Sequence, residues 1–288
     1  MSDRAAGRTR RGIPLRALAP NAVTTLALCS GLTGILFAIA QDWGMAVAAV
    51  ITAGVLDGLD GRIARLLKGE SRFGAELDSL SDVIAFGVSP AIILYLWSLQ
   101  HLGDEGQRFG WIFALAHAAG CALRLARFNA QIDAIEQPHK SAGFLTGVPA
   151  PTAAGLAMLP LYVCLILEGH VVPAPEKVVA MARDGALLAP WMALWMAFVT
   201  FLMTSSIATY SWSSLRLRRH IRLELLIGVA VIVGALFSVP WYTLTAVSVF
   251  YLISMPFSVR SYARIKRQRT ASAVPGSSGA AAGEASPS

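Results

Sequence analysis

Asp57, Asp60, Asp78 and Asp82 stand at the ends of two segments that otherwise read as membrane-spanning helices. Ionisable groups at such depth are costly enough to mark function. Asp57 and Asp60 are three residues apart and Asp78 and Asp82 four apart, so on helices each pair projects from one face. Two antiparallel helices joined by a short turn can bring all four carboxylates to one point. Gathered there they repel one another, and a low dielectric worsens the cost unless a cation enters. Oxygen-only ligands without clustered His or Cys favour Mg²⁺ or Mn²⁺ over zinc and leave Ca²⁺ open. Gly58, Gly61, Ala64 and Gly74 keep the adjoining surface low, so that a bulky ligand can approach the backbone. Arg62, Arg65, Lys68 and Arg72 offer charge to an anionic group. Metal, bare backbone and arginine suggest a phosphate or pyrophosphate substrate. A structural ion network with the arginines, and a pathway for ions or protons, are the other uses of such carboxylates.

The elements that position these residues are those of a membrane protein. Of 288 residues, 55% are hydrophobic and only 14% charged, so length translates into spans instead of soluble domains. Apolar runs at 19–40, 43–68, 73–100, 109–129, 151–167, 187–212, 223–239 and 241–259 predict an all-α fold, a polytopic membrane bundle of about eight transmembrane helices. Trp43 and Trp97 read as interfacial anchors at the far ends of the second and third spans. At ~1.5 Å per residue, Asp57 lies about 21 Å from the level of Trp43 and Asp82 about 22 Å from that of Trp97. With about 30 Å of hydrocarbon, the four carboxylates then share a layer near the opposite surface.

Three parts are expected: a basic cytosolic arm at 1–18, a membrane domain at 19–262, and a tail at 263–288 that is first basic and then disordered. The net charge of +7 comes from residues flanking apolar runs, not from a groove with interleaved aromatics. That argues for membrane lipids and against nucleic acid as the partner. With eight spans, every Lys and Arg except Arg108, Lys177 and Arg183 falls on the side of the N-terminus. The positive-inside rule makes that side cytosolic, with both termini and the aspartate layer, in the cell (inner) membrane. Cys29, Cys121 and Cys164 read as buried small residues, and a lone His117 or His139 as a hydrogen-bonded or surface residue and not a ligand.

The run Asp57-Gly58-Leu59-Asp60-Gly61-Arg62-Ile63-Ala64-Arg65, eight residues, then Gly74-Ala75-Glu76-Leu77-Asp78-Ser79-Leu80-Ser81-Asp82 resembles the motif of the CDP-alcohol phosphatidyltransferase family, D-x-x-D-G-x-x-A-R, eight residues, G-x-x-x-D-x-x-x-D. It matches at every fixed position and spacing. The resemblance implies displacement of CMP from a CDP-linked lipid by an alcohol, with one or two divalent ions. Asp57, Asp60 and Asp78 would be metal ligands, and Asp82 both a ligand and the general base. Gly61, Ala64, Arg65 and Gly74 would line the site for the CDP-lipid. Pro20, Asn21 and Thr24 resemble the Pro-Asn-x-x-Thr entry of many members, and members are often homodimers.

The core motif leaves the acceptor open. Arg124, Arg127, Phe128 and Asn129, then Phe144 with Gly147-Val148-Pro149-Ala150-Pro151, and Phe86-Gly87-Val88-Ser89-Pro90 resemble the branch of the family that uses L-serine with CDP-diacylglycerol. Arg124, Arg127 and Asn129 would then meet the serine carboxylate or the lipid diphosphate, since guanidinium forks onto either. Their other reading is a positive-inside anchor. Glycerol 3-phosphate, inositol phosphate or choline is the alternative acceptor within the family. A carboxylate-based cation transporter is the alternative outside it.

Overall fold

The structure, a computed structural model, describes residues 15–103, 106–132, 144–168, 185–205, 208–210 and 222–273. Most of the expected N-terminal arm, most of the loop before the sixth span, and the end of the C-terminal tail lie outside the described residues. What is described is helical apart from one short two-stranded ribbon. Helix α1 (Leu15–Ile39) packs most extensively against α2 (Trp43–Leu67). Asp42 caps α2 by accepting from the Met45 amide at 3.0 Å, which satisfies one of the amides a helix start leaves unpaired. At its other end Lys68 takes the left-handed conformation, φ 50°, and returns its amide to the Ala64 and Arg65 carbonyls, closing the helix so that the chain can reverse within a few residues. Ser71 then caps α3 (Arg72–Asp82), accepting from the Gly74 amide at 3.0 Å.

The third expected span is one rod in three conformations. After α3 the chain makes a π-helical turn (Val83–Val88), resumes as α4 (Ser89–Trp97) and ends in a 3₁₀ turn (Leu99–His101). Pro90 explains the change of winding. It has no amide to give the Phe86 carbonyl four residues back, and its ring crowds that carbonyl, so the chain loosens there. The fifth expected span is likewise broken. Helices α6 (Ala150–Ala157) and α7 (Leu159–Glu168) meet at 43°. Pro160 cannot bond the Leu156 carbonyl, and the Trp195 indole donates to that carbonyl instead, at 2.9 Å.

Helix α5 (Gly106–Ile132) and α8 (Gly185–Thr204) complete the core, and α9 (Arg222–Ser238) and α10 (Pro240–Ala273) follow. Strands β1 (Phe144–Thr146) and β2 (Ala208–Tyr210) pair antiparallel, Phe144 opposite Tyr210 and Thr146 opposite Ala208. Five helices among the described residues are long and apolar enough to cross a membrane, six if the bent α6–α7 pair counts as one span. The seventh and eighth expected spans fall on α9, whose described apolar stretch is Ile227–Ser238, and on α10, of 34 residues.

Small residues set the spacing of the core. A Cβ on Gly31 would lie 2.8 Å from the Ala85 Cα, and one on Gly87 2.9 Å from the Cys121 Cβ, so α1 and α5 both press on the π turn. Large apolar side chains such as Leu36, Trp191 and Phe201 point outward, toward acyl chains in a bilayer. Two expectations change here. Cys29 is exposed on that outer surface, not buried. Trp97 is 5% exposed and packs in the core instead of anchoring at the lipid interface. It borders a cavity of about 360 Å³ with Trp43, Gln100 and His101, at the end of the bundle away from the aspartates.

Gly31→Val should strain the α1 contact with the π turn, at a cost of about 1–3 kcal/mol. Thermal unfolding of the purified protein in detergent should show a clear loss of stability. Gly155→Ala, where a Cβ meets nothing within 4 Å among the described residues, should leave the midpoint unchanged.

Candidate functional site

The carboxylates converge as the spacing requires. One oxygen from each of Asp57, Asp60 and Asp78 lies within 4.8 Å of the other two. The chain reverses between Lys68 and Ser71, and α2 and α3 both pack against α1, which brings the two pairs together. Asp82, one turn beyond Asp78, is within hydrogen-bonding reach of the Asp57 carboxyl. It is the member of the four set slightly apart.

Helix α1 supports the cluster from behind. Thr24 sits 4% exposed and Asp60 5% exposed, with the Thr24 hydroxyl donating to Asp60 Oδ2 at 2.5 Å. The same hydroxyl is 3.1 Å from the Pro20 carbonyl, but it has one proton and the carboxylate is the closer, stronger acceptor. The Ser81 hydroxyl donates to the Thr24 carbonyl at 3.2 Å, tying α3 to the same turn of α1. Asn21 completes the tie, because a Cβ on Gly74 would lie 2.9 Å from Asn21 Oδ1. Gly74 therefore serves close approach of α1 as well as access. Sequence reasoning placed Pro20, Asn21 and Thr24 at the entry to the first span but gave Thr24 no partner. A hydroxyl in an apolar helix is a weak signal until the fold shows which carboxylate it meets.

The face proposed for a large ligand is open. Among the described residues, nothing lies within 4 Å of a Cβ built on Gly58 or Gly61. Ala64 is half-buried, and Arg65 is exposed with its Nε donating to the Gly61 carbonyl at 3.0 Å. Arg62 and Arg72 are exposed near the same turn.

The three polar residues closing α5 part company. Arg124 is the one whose charge faces Asp82, and its buried Nε has no hydrogen-bond partner among the described residues. Tyr251 of α10 also faces Arg124, so the last helix reaches the site. Arg127 donates to the Ser205 carbonyl at 3.4 Å, and the Asn129 amide to the Ser79 hydroxyl at 2.9 Å. These two tie the end of α5 to α8 and α3.

Three carboxylate oxygens this close, each from a different residue and half to fully buried, form a donor set that fits a hard divalent cation. Mg²⁺ and Mn²⁺ take carboxylate oxygen and leave positions for water and phosphate. The class is therefore a polytopic helical membrane protein with a carboxylate cluster from α2 and α3 that could hold a metal ion, open on its glycine side. Residues 17–202 match the family model for CDP-alcohol phosphatidyltransferase, and residues 220–256 that for CDP-alcohol phosphatidyltransferase 2. The chain belongs to the CDP-alcohol phosphatidyltransferase family. It is 34% identical to the CDP-diacylglycerol–serine O-phosphatidyltransferase of Mycobacterium bovis, over 88% of this chain and 82% of that protein. It is 35% identical to the protein of that name from Mycobacterium leprae, over 68% and 75%. Against the one from Helicobacter pylori it is 38% identical over 52% and 58%.

Thr24→Val keeps the shape of the side chain and removes the proton held by Asp60. Hydrogen bonds to a ligating carboxylate commonly carry a 10–100-fold effect, so Mn²⁺ binding followed by electron paramagnetic resonance should weaken about 10-fold or more. Thr24→Ser should bind near the wild-type level.

Proposed function

We propose that this chain transfers the phosphatidyl group of CDP-diacylglycerol to L-serine, giving phosphatidylserine and CMP. The observation that carries the reading is the gathering of Asp57, Asp60 and Asp78 beside the open face of Gly58 and Gly61. It stands in a chain whose reported relatives all bear the serine enzyme's name. No observation favours another acceptor alcohol or cation transport.

Asp57, Asp60 and Asp78, with Asp82 beside them, are the residues to hold Mg²⁺ or Mn²⁺. A divalent ion there supplies charge neutralisation at the pyrophosphate, which makes CMP a better leaving group. The cytidine diphosphate lies along Gly58, Gly61 and Ala64, where α2 presents almost no side chain, with Arg65 and Gly74 at its edge. The acyl chains remain in the bilayer. Asp82 takes the serine hydroxyl proton as that oxygen bonds to the β-phosphorus, the one bearing diacylglycerol. The bond from that phosphorus to the oxygen bridging the α-phosphate breaks, and CMP leaves with the electron pair. Arg124 holds the serine carboxylate; its charge beside Asp82 and its unused Nε support this role. Arg127 and Asn129 serve the acceptor through Arg124, by holding the end of α5 in place.

The topology that suits this chemistry has eight spans, α9 and α10 supplying the last two, with both termini and the aspartates cytosolic in the cell (inner) membrane. The one-sided sorting of Lys and Arg supports it.

Purified protein supplied with CDP-diacylglycerol, Mg²⁺ or Mn²⁺ and a panel of labelled alcohols should release CMP with serine. Release with glycerol 3-phosphate and not serine would reject the acceptor, and no metal-dependent release at all would reject the reaction. Asp82→Asn should lower kcat by about 10²–10⁴-fold, the usual worth of a general base, while CDP-diacylglycerol binding changes little. Loss of binding in step with turnover would make Asp82 a ligand first. For topology, a single cysteine at Ser214 should resist membrane-impermeant thiol reagents in intact cells, and one at Gly169 should react. Labelling of Ser214→Cys from outside would overturn the eight-span arrangement.

A further inference from the structure

The two helices that carry the aspartates are held by a third. Helices α2 and α3 both pack closely on α1 and hardly on each other. Helix α2 meets the third rod mainly past Asp82, where Gly54 faces the ring of Phe86 in the π turn. At the level of the carboxylates, the separation between the pair on α2 and the pair on α3 is therefore set through α1.

One residue makes the connection on both sides. The Thr24 hydroxyl donates to Asp60 Oδ2, and the Thr24 carbonyl accepts from the Ser81 hydroxyl at 3.2 Å. Ser81 stands three residues after Asp78 and one before Asp82, so its bond fixes the turn of α3 that bears both carboxylates. Ser81 is 2% exposed and Thr24 and Asp60 little more, so water does not compete for either bond. One turn earlier on α1, Asn21 lies closer to Gly74 than a methyl group would allow. Helix α1 thus grips α3 at two places, two turns apart.

An oxygen-only donor set leaves the choice among hard divalent ions to geometry. Mg²⁺ demands near-octahedral oxygen at about 2.0–2.1 Å, whereas Ca²⁺ takes about 6–8 oxygens at about 2.3–2.6 Å in a flexible arrangement. Selection between them follows cavity size and the freedom of the ligands to part. Carboxylate pairs free to separate suit the larger ion, and pairs tied to a common support resist it.

We propose that the Thr24–Ser81 tie biases the site toward Mg²⁺ and Mn²⁺ and against Ca²⁺: by holding Asp60 on one side and the Asp78–Asp82 turn on the other, α1 keeps the two carboxylate pairs from opening to the larger ion. The inference rests on the reading of the aspartates as a divalent-metal site. Ser81 is a positioning residue in it, with no contact to ion or substrate.

The test follows Mn²⁺ binding to the purified full chain by electron paramagnetic resonance, without lipid or serine, and titrates Mg²⁺ and Ca²⁺ as competitors. Ser81→Ala removes the tie, alters no carboxylate and puts a good helix former in its place. The ratio of Ca²⁺ to Mg²⁺ affinity should rise about 10-fold over wild type, the low end of what partners behind a metal ligand carry. Thermal unfolding is measured on the same samples. A hydroxyl that merely stabilises the fold would lower Tm, or weaken all three ions by one common factor, so an unchanged ratio overturns the proposal. If Ser81→Ala does not fold, Thr24 decides: a raised ratio in Thr24→Val beside a wild-type ratio in Thr24→Ser supports the proposal, and the same ratio in both overturns it. Wild-type protein that binds no Mn²⁺ fails the metal reading and this inference with it. Wild type that binds Mn²⁺, beside Ser81→Ala with an unchanged ratio, fails this inference alone.

Discussion

Four negative charges held in a layer of low dielectric are the constraint on which the rest of this structure depends. Left to themselves Asp57, Asp60, Asp78 and Asp82 would separate or take up protons, because neither hydrocarbon nor packed helix stabilises a bare carboxylate. The fold answers with a short, capped reversal between α2 and α3, with the Thr24 hydroxyl of α1 donating to Asp60, and with the Ser81 hydroxyl of α3 donating to the Thr24 carbonyl. A rigid cluster of like charges is unfavourable for the protein alone and favourable only with a cation. Such an oxygen-only cluster is the kind of site a hard divalent ion can relieve.

The packing around the cluster follows from the same need. Hydrocarbon offers no hydrophobic drive between helices, so close contact depends on small residues and on hydrogen bonds that cannot be made to lipid. Gly31, Gly74 and Gly87 each admit a neighbour that a methyl group would exclude. Ser81, Ser89, Ser98 and Thr24 each reach across to another helix or to its carbonyls. Gly58 and Gly61, on the same helix as the carboxylates, do the opposite and leave space empty. One residue type thus serves tight packing behind the site and vacancy in front of it.

Prolines mark the places where two of the membrane rods change their winding or direction. In water a freed carbonyl would be solvated. Inside a bundle it must find a donor or the segment would unwind. Trp195 meets that need for Leu156. The consequences differ, a bend of 43° in one case and a π turn in line in the other. Neighbouring helices, and not proline itself, decide which.

The all-helical membrane class, the second and third rods, and the convergence of the aspartates were legible in the sequence, because each depends on local regularities: hydrophobic run length, helical periodicity, and the offsets within Asp57–Asp60 and Asp78–Asp82. The open face at Gly58 and Gly61 was legible for the same reason, since the absence of a side chain is written in the residue itself. What lay beyond reach were the relations between segments distant in the chain. Nothing local joins Thr24 to Asp60, Asn129 to Ser79, or His117 to Thr200, and Arg124 and Arg127 look alike until one faces Asp82 and the other meets the Ser205 carbonyl. Trp97 read as a lipid anchor because its burial depends on α8 and the 3₁₀ turn coming to cover it. Local sequence dictates which groups must be satisfied in the membrane. Tertiary packing alone chooses the partner, because in hydrocarbon the partner must come from another helix.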